Sequence, residues 1–166
     1  PLLRTALQAD SSEMVRTTAA ASLAHFKDAS GLPLVQAALE HVDFRIRLAA
    51  AISFTRMDYN IAKPLVIQAL SSRDSLVRST AYQVIGQNVD SSVAAEVFEA
   101  VDRERDLYAK VQGLWTVGRI GGAESLPKLL YFLPDEQEEL RHASAEALVL
   151  ISDRLLQSGG VPQKIP

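Results

Sequence analysis

The sequence predicts an all-α fold, a right-handed α-solenoid of about five helix pairs with a period of about 31 residues. Three observations lead to this prediction. A short phrase recurs along the chain at nearly constant spacing. Its apolar positions follow the period of an α-helix. The two-residue alternation typical of half-buried strands is absent, so no sheet is expected.

The repeat is anchored on an apolar residue that directly precedes a basic residue. Five such anchors occur, separated by steps of 31, 31, 32 and 31 residues. The anchors are Val15, Ile46, Val77, Ala109 and Leu140. A spacing held this closely over four steps indicates five copies of one structural unit.

The first helix of each unit, helix A, is predicted from three columns of side chains that follow the anchor. The residue four positions on is small, and those eight and eleven positions on are large and apolar, with Asn88 as the polar exception. The small residues are Ala19, Ala50, Ala81, Gly113 and Ser144. The large residues are Leu23, Phe54, Ile85, Val117 and Leu148, followed by Phe26, Met57, Ile120 and Ile151. These offsets share one helical face, so we expect a buried stripe whose small member admits a neighbouring helix closely.

A second helix, helix B, follows in each complete unit. Three units have a proline 18 positions after the anchor, which we expect in the first helical turn, where its missing N–H is not needed. These prolines are Pro33, Pro64 and Pro127. The buried stripe expected behind them comprises Val35, Leu39, Val66, Leu70, Val97, Val101, Leu129 and Leu133. Turn-forming residues at 27–31, 58–60, 87–92 and 121–124 are predicted to link the helices.

The two ends of the chain interrupt the repeat. The first ten residues read as helix B of a preceding unit, with Leu3 and Leu7 as its stripe, whereas no helix B completes the fifth unit. We therefore expect residues 1–158 to form the solenoid and residues 159–166 to form a flexible tail after two terminating glycines. We also expect the chain to be a segment of a longer protein.

The phrases "VRSTAYQVIG" and "AKVQGLWTVGRIGGAESLPKLL" resemble HEAT-like repeats of the short, phycobilisome-lyase type, over roughly residues 10 to 151. That family shares the core phrase D-x-x-V-R-x-x-A-x-x-x-L-G, to which Asp74, Val77, Arg78 and Ala81 correspond. The resemblance implies an α-solenoid. Among relatives it implies roles in attaching or detaching bilin chromophores and in bacterial assembly and regulatory proteins.

Composition limits the possible partners. The net charge is −3 and the isoelectric point is about 5.6, which argues against binding to nucleic acid or to an anionic membrane surface. No apolar run approaches the length of a membrane span, so no membrane insertion is expected. The chain has no cysteine, which excludes disulfides and thiolate chemistry. With no signal segment at its start, we expect a cytoplasmic location.

A basic residue follows every anchor, and this cation column has two interpretations. The members are Arg16, Arg47, Arg78, Lys110 and Arg141. The column could read phosphates, or it could form a structural ladder with Asp43, Asp74 and Asp106, each four residues before a cation. We favour the ladder, in which an aspartate caps helix A and the cation pairs with that carboxylate or with one in the next unit.

Catalytic, metal and cofactor sites are not expected. "LRHASAEAL" is similar to a phrase in the deoxyhypusine hydroxylases, HEAT-like proteins that hold two irons with His-Glu pairs. Here none of His25, His41 and His142 is followed by Glu, so that ligand set is missing. No G-x-S-x-G motif or phosphate-binding loop occurs. The acidic run 134–139 reads as a solvated helix start.

Function is therefore sought in the columns that vary. Helix B usually lines the concave side of such solenoids, and the side chains expected to point outward there are Gln68, Glu96, Glu99, Lys128 and Tyr131. Trp115 stands in a variable column of helix A. It is either an exposed binding anchor or a residue packed against Arg119 or a neighbouring unit.

The leading hypothesis is a non-catalytic scaffold that binds a protein partner, or another segment of its own longer chain, through the concave helix B face. An accessory subunit of a bilin lyase-type complex is the first alternative. A nucleic-acid-binding module is disfavoured, because Lys63 and Lys128 on this face are opposed by Glu96 and Glu99.

Overall fold

The computed structural model describes residues 2–159, and within this range it contains ten α-helices and no strand, so the predicted all-α fold of the α-solenoid class is confirmed. The helices are α1 (Leu2–Ala9), α2 (Glu13–His25), α3 (Leu32–Leu39), α4 (Phe44–Ser53), α5 (Tyr59–Ala69), α6 (Ser75–Asn88), α7 (Ala94–Arg103), α8 (Leu107–Ile120), α9 (Leu126–Tyr131) and α10 (Glu138–Gln157). The handedness of the superhelix stays a prediction. The predicted tail, residues 159–166, lies outside the described residues apart from Gly159.

Helices A and B alternate as the repeat predicts. The five anchors all lie in the first turn of an even-numbered helix, which makes α2, α4, α6, α8 and α10 the A helices. The odd-numbered helices are the B helices, and α1 is the B helix that stands before the first A helix. Short 3₁₀ turns precede α3, α7 and α9.

The chain divides into two compact units, Pro1–Val84 and Ile85–Pro166, and the division falls inside α6. In the first unit α2 packs against α1, α3 and α4, and α3 packs in turn against α4 and α5. Helix A therefore contacts helix A and helix B contacts helix B, which is the layering of an α-solenoid.

The second unit is built in the same way. Helix α8 packs against α7 on one side and α10 on the other, and α10 also packs against α9. The approach of α8 to α10 is close, because a Cβ placed on Gly118 would lie 2.7 Å from the Cα of Ala147.

The predicted stripes form the core. All five members of the small column are buried, as are Leu23, Phe54, Ile85 and Val117 in the next column. In helix B the side chains of Val35, Val66, Val97 and Leu129 have no exposed surface.

Two apolar residues expected in the core are exposed. Phe26 is 71% exposed because α2 ends at His25, so the helical period no longer directs the next side chain inward. Leu133 is exposed because α9 ends at Tyr131, and Phe132 is buried in its place.

The prediction for Pro64 is wrong. Asp58, expected in a turn, accepts a hydrogen bond from the backbone N–H of Asn60 at 3.0 Å and caps α5, which then begins at Tyr59. Pro64 consequently lies inside the helix rather than in its first turn. Pro33 and Pro127 do stand in the first turn of α3 and α9.

Candidate functional site

The three aspartates of the predicted ladder each cap the start of a helix A. Asp43 accepts a hydrogen bond from the backbone N–H of Arg45 at 2.9 Å, and Asp74 accepts one from that of Leu76 at 3.1 Å. Asp106 does the same for Ala109 at 2.9 Å. A side-chain acceptor at this position satisfies an N–H group that has no partner within the helix.

The arginines of the cation column bind the loop that leads into their own helix. Arg47 donates from Nη1 to the carbonyl oxygens of His41 and Val42, at 2.7 and 2.9 Å. The first of these carbonyls lies six residues before the arginine. The same six-residue contact recurs at 2.7 to 2.8 Å from Arg16 to Asp10, from Arg78 to Ser72 and from Arg141 to Asp135. We call this contact the arginine clamp.

One arginine also makes the ion pair expected between successive units. Nη2 of Arg47 lies 3.0 Å from Oδ2 of Asp74, and the two side chains are 10% and 12% exposed. Asp43, the other candidate partner, instead binds Arg45 at 2.7 Å. The hydrogen bond from the Arg45 side chain, with that from its backbone, lowers the pKa of Asp43 to about 2.

The fourth cation of the column, Lys110, departs from the ladder. Nζ of Lys110 stands 5.3 Å from the centre of the Phe132 ring, a cation–π contact, whereas the carboxylate of Asp106 caps the helix. The column thus serves local structure through backbone carbonyls, one carboxylate and one aromatic ring. None of these contacts favours a row of cations held open for phosphates.

The helix B face of the first unit is polar but partly covered. Gln68 is half-buried and accepts a hydrogen bond from the side chain of Gln36 at 3.3 Å, which links α3 to α5. Its amide is therefore engaged between two helices rather than presented freely to a partner.

The helix B face of the second unit is open. Glu96 and Glu99 of α7 are exposed, and Glu99 lies 3.6 Å from Arg103 on the same helix. Lys128 of α9 lies 3.7 Å from Asp102 and 4.7 Å from the centre of the Phe98 ring, so it joins α9 to α7.

Tyr131 is the most exposed aromatic side chain of this face, at 78%. Its ring meets that of Phe132 edge-on, with 5.5 Å between the centroids and 83° between the planes. Because Phe132 is buried, the tyrosine stands on a fixed base.

Trp115 is half-buried, and its indole Nε1 is shielded from solvent with no hydrogen-bond acceptor. Arg119, the residue one turn on, is exposed. The indole therefore has one covered edge and one accessible side.

The histidines lie apart, each with a separate partner. Nδ1 of His25 lies 2.6 Å from the carbonyl oxygen of Arg56, Nε2 of His41 lies 3.2 Å from Glu13, and Nδ1 of His142 lies 3.8 Å from Glu146. Within residues 2–159, no three His, Asp or Glu side chains are grouped as a metal ion would need.

Two features were not found from the sequence. The sequence does not predict the arginine clamp because its acceptors are backbone carbonyls, although the arginine itself occupies a constant position in the repeat. Arg154 donates to the carbonyl oxygens of Gly118 and Gly121 and, at 2.5 Å, to that of Arg119, fastening α10 to the end of α8. Arg154 has no basic counterpart at the same position of the other units, so the repeat pattern does not predict its contacts.

None of the helices in the described part of the chain combines the length and the apolar character that crossing a bilayer requires.

Comparison with known proteins bears on the repeat. A family model described as HEAT repeats matches residues 1–86 and again residues 62–149. No curated protein matches the sequence closely enough to count as a relative. Since the two matches together span most of the chain, and since both units show alternating A and B helices, the chain belongs to the HEAT-repeat family.

Proposed function

We propose that the protein is a non-catalytic interaction scaffold that binds a protein partner through the helix B face of residues 85–159. HEAT repeats generally serve as protein-interaction scaffolds. The observation that carries the proposal is Tyr131, an exposed aromatic side chain held on a buried one.

Tyrosine is suited to this task. It offers a large amphipathic surface and loses little conformational entropy on binding, and it is enriched among the residues that dominate binding energy. Its neighbour Phe132 is 6% exposed, and Nζ of Lys110 lies 5.3 Å from the centre of the Phe132 ring, so the side chain beneath Tyr131 is held in place. A partner would meet a preorganised contact.

The surrounding charges define the partner's chemistry. Lys128 is engaged with Asp102 and with the Phe98 ring, whereas Glu96 carries no cation partner among the described residues. Glu99 lies 3.6 Å from Arg103, and both side chains are about two-thirds exposed or more. We therefore infer a partner segment that presents a basic side chain to α7 and an apolar or hydrogen-bonding group to Tyr131.

The experiment is quantitative affinity capture followed by titration of the captured partner against Tyr131→Ala and Glu99→Lys. Each variant is expected to weaken binding tenfold or more, about 1.4 kcal/mol. Tyr108→Ala, at an exposed tyrosine of α8, and Glu139→Lys, at an exposed acid of α10, are the matched controls. Wild-type affinity in both test variants contradicts the proposal.

The resemblance of the repeat to the short phycobilisome-lyase type supports a second candidate, a role accessory to bilin attachment. It rests on the period of about 31 residues and on the phrase around Arg78. Transfer of a bilin to an apo-phycobiliprotein is the assay. A chain that neither promotes transfer nor binds bilin removes this candidate.

Nucleic-acid binding stays disfavoured on charge. The open face of α7 and α9 carries Glu96 and Glu99, and Lys128 is already engaged. Elution from heparin at low salt is expected, and retention at moderate salt would reverse this preference.

A further inference from the structure

The turn that follows α6 holds a valine in the left-handed region of the backbone. Val89 has a φ of 49°, and among the non-glycine residues from 2 to 159 only Lys27 also has a positive φ. A β-branched side chain in this region crowds the backbone and strains the chain. Val89 is 59% exposed, so burial of its side chain does little to offset the strain. We call residues 85–90 the valine turn.

A turn of the same type follows α2, and we call residues 23–28 the lysine turn. Lys27 has a φ of 62° and stands 12 residues after its anchor, as Val89 does. The backbone N–H of Lys27 donates to the carbonyl oxygen of Ala24 at 3.0 Å, and that of Asp28 donates to the carbonyl oxygen of Leu23 at 2.9 Å. This pair of bonds commonly closes the end of a helix. Lysine is unbranched at Cβ, so it strains the turn less than valine does.

The closing hydrogen bonds are longer in the valine turn. The N–H of Val89 lies 3.4 Å from the carbonyl oxygen of Gly86, and that of Asp90 lies 3.5 Å from the carbonyl oxygen of Ile85. Hydrogen bonds between backbone groups have their most favourable length near 2.9 to 3.0 Å. The valine turn is therefore the weaker of two closures with the same pattern.

The repeat itself does not require a left-handed residue at this position. Asp58 has a φ of −60° at the corresponding place in the second unit. Gly121, in the fourth unit, has a φ of −71°, although a glycine would adopt the left-handed region freely. The strain at Val89 is thus a property of this unit and not of the repeat.

The chain is anchored on both sides of Val89. Ile85 has no exposed surface, and Val93 is 2% exposed. The carboxylate of Asp90 accepts hydrogen bonds from the backbone N–H of Ser92 at 3.1 Å and from its hydroxyl group at 2.6 Å. Strained backbone conformations persist where the surrounding structure fixes both ends in this way.

We propose that the valine turn is a conformational switch built into the fold. In the open state Val89 leaves the left-handed region, the two closing hydrogen bonds break together, and the last turn of α6 unwinds while Ile85 and Val93 stay buried. Opening relieves the strain and frees the carbonyl oxygens of Ile85 and Gly86 as hydrogen-bond acceptors. A ligand that prefers either state could then shift the balance between them. The switch needs no partner, so it stands apart from the proposed function.

Amide hydrogen exchange of the 166-residue chain, followed residue by residue by NMR, tests the proposal. After correction for intrinsic rates, the amides of Val89 and Asp90 are expected to be about tenfold less protected than those of Lys27 and Asp28. The two turns belong to one molecule, so the lysine turn is an internal reference. Equal protection in the two turns would overturn the proposal.

Substitution of the valine tests the cause of the opening. Val89→Gly is expected to raise the protection of the Asp90 amide about threefold or more, because glycine adopts a positive φ without strain. Its thermal midpoint should not fall. Val42→Gly is the matched control, since Val42 is an 84% exposed valine without a positive φ. The control is expected to lower the midpoint, because there glycine only adds freedom to the unfolded chain.

Val89→Asn gives a second measurement, because asparagine tolerates the left-handed region and does not add the freedom of glycine to the unfolded chain. Both substitutions replace an exposed side chain, and circular dichroism checks that each variant is folded. Higher protection of the Asp90 amide in both variants supports the switch. Unchanged protection in both, or a loss of stability in Val89→Gly as large as that in Val42→Gly, would show that the valine is not strained and would refute it.

Discussion

Arg47 in α4 lies 3.0 Å from Asp74, the residue that caps α6. The same guanidinium holds two carbonyl oxygens of the loop before its own helix. One side chain therefore fixes a loop, and through Asp74 it fixes the start of the next helix A. Arg47 is 8% exposed, so these bonds form away from bulk water.

Replacing Arg47 with Ala is expected to lower the free energy of unfolding by about 3 kcal/mol, because it leaves a carboxylate and two carbonyls without their donor. Urea denaturation followed by circular dichroism measures the change. Arg45→Ala is the control, since Arg45 binds Asp43 at the exposed surface and its loss should matter far less. Equal losses of unfolding free energy in the two variants would contradict the view that the buried arginine contributes more than the exposed one.

The pKa of Asp43 falls from its ordinary value of 3.8 to about 2, chiefly through the hydrogen bond from the Arg45 side chain. A carboxyl group whose pKa is lowered by folding stabilises the fold above the unfolded pKa and loses this effect as the pH falls through the folded pKa. The contribution of Asp43 is therefore expected to be complete above about pH 4 and to vanish towards pH 2.

Asp43→Asn isolates this effect, because asparagine can still cap α4 but cannot pair with Arg45. The difference in stability between wild type and variant is expected to shrink as the pH falls from 4 to 2. Thermal unfolding across this range measures it, and a difference that stays constant with pH would refute the assignment.

Gly118→Ala is expected to destabilise the second unit by about 1 to 3 kcal/mol, although alanine is the better helix former. The new methyl group would lie 2.7 Å from the backbone of Ala147 and force α8 and α10 apart. Fluorescence of Trp115, the single tryptophan, reports unfolding of this unit during denaturant titration. Gly122→Ala is the control, because the atoms nearest to its methyl group belong to the exposed side-chain carboxylate of Glu124 rather than to the backbone of a second helix.

Pro64→Ala is expected to raise the free energy of unfolding by about 2 kcal/mol. Proline inside a helix destabilises the fold by about 3 kcal/mol relative to alanine. Proline also restricts the unfolded chain, and losing that restriction in the variant takes back up to about 1 kcal/mol of the gain in stability. Pro33→Ala, at the second residue of α3, should bring no such gain. A shift in thermal midpoint measures both, and an unstabilised Pro64→Ala would show that α5 depends on the ring.

The sequence predicted the repeat and its core because those features rest on side-chain size at fixed spacing. Helix ends were harder to predict. The cap at Asp58 extended α5 back past its proline, and the early end of α9 exchanged Leu133 for Phe132 in the core. Both outcomes depend on local backbone hydrogen bonds, which leave little trace in a pattern of apolar residues.

The exposure of individual side chains is likewise difficult to predict from the sequence pattern alone. Ala145 and Ala20 are the same residue type in the same column, yet Ala145 is exposed and Ala20 is buried beside Gly31. The variability of its column points to Tyr131, but only the structure shows the buried Phe132 ring against which it packs.

The arginine clamp has a consequence for how such a chain grows. Its acceptor lies six residues before the arginine, as in the contact from Arg78 to Ser72, so every clamp is complete within its own repeat. A duplicated or deleted repeat would carry both ends of the bond with it, and the remaining loops would keep theirs. Local closure of this kind also favours rapid folding, since it demands no distant contact. The number of repeats can thus change in evolution while the loop before each helix A keeps its own stabilising contact.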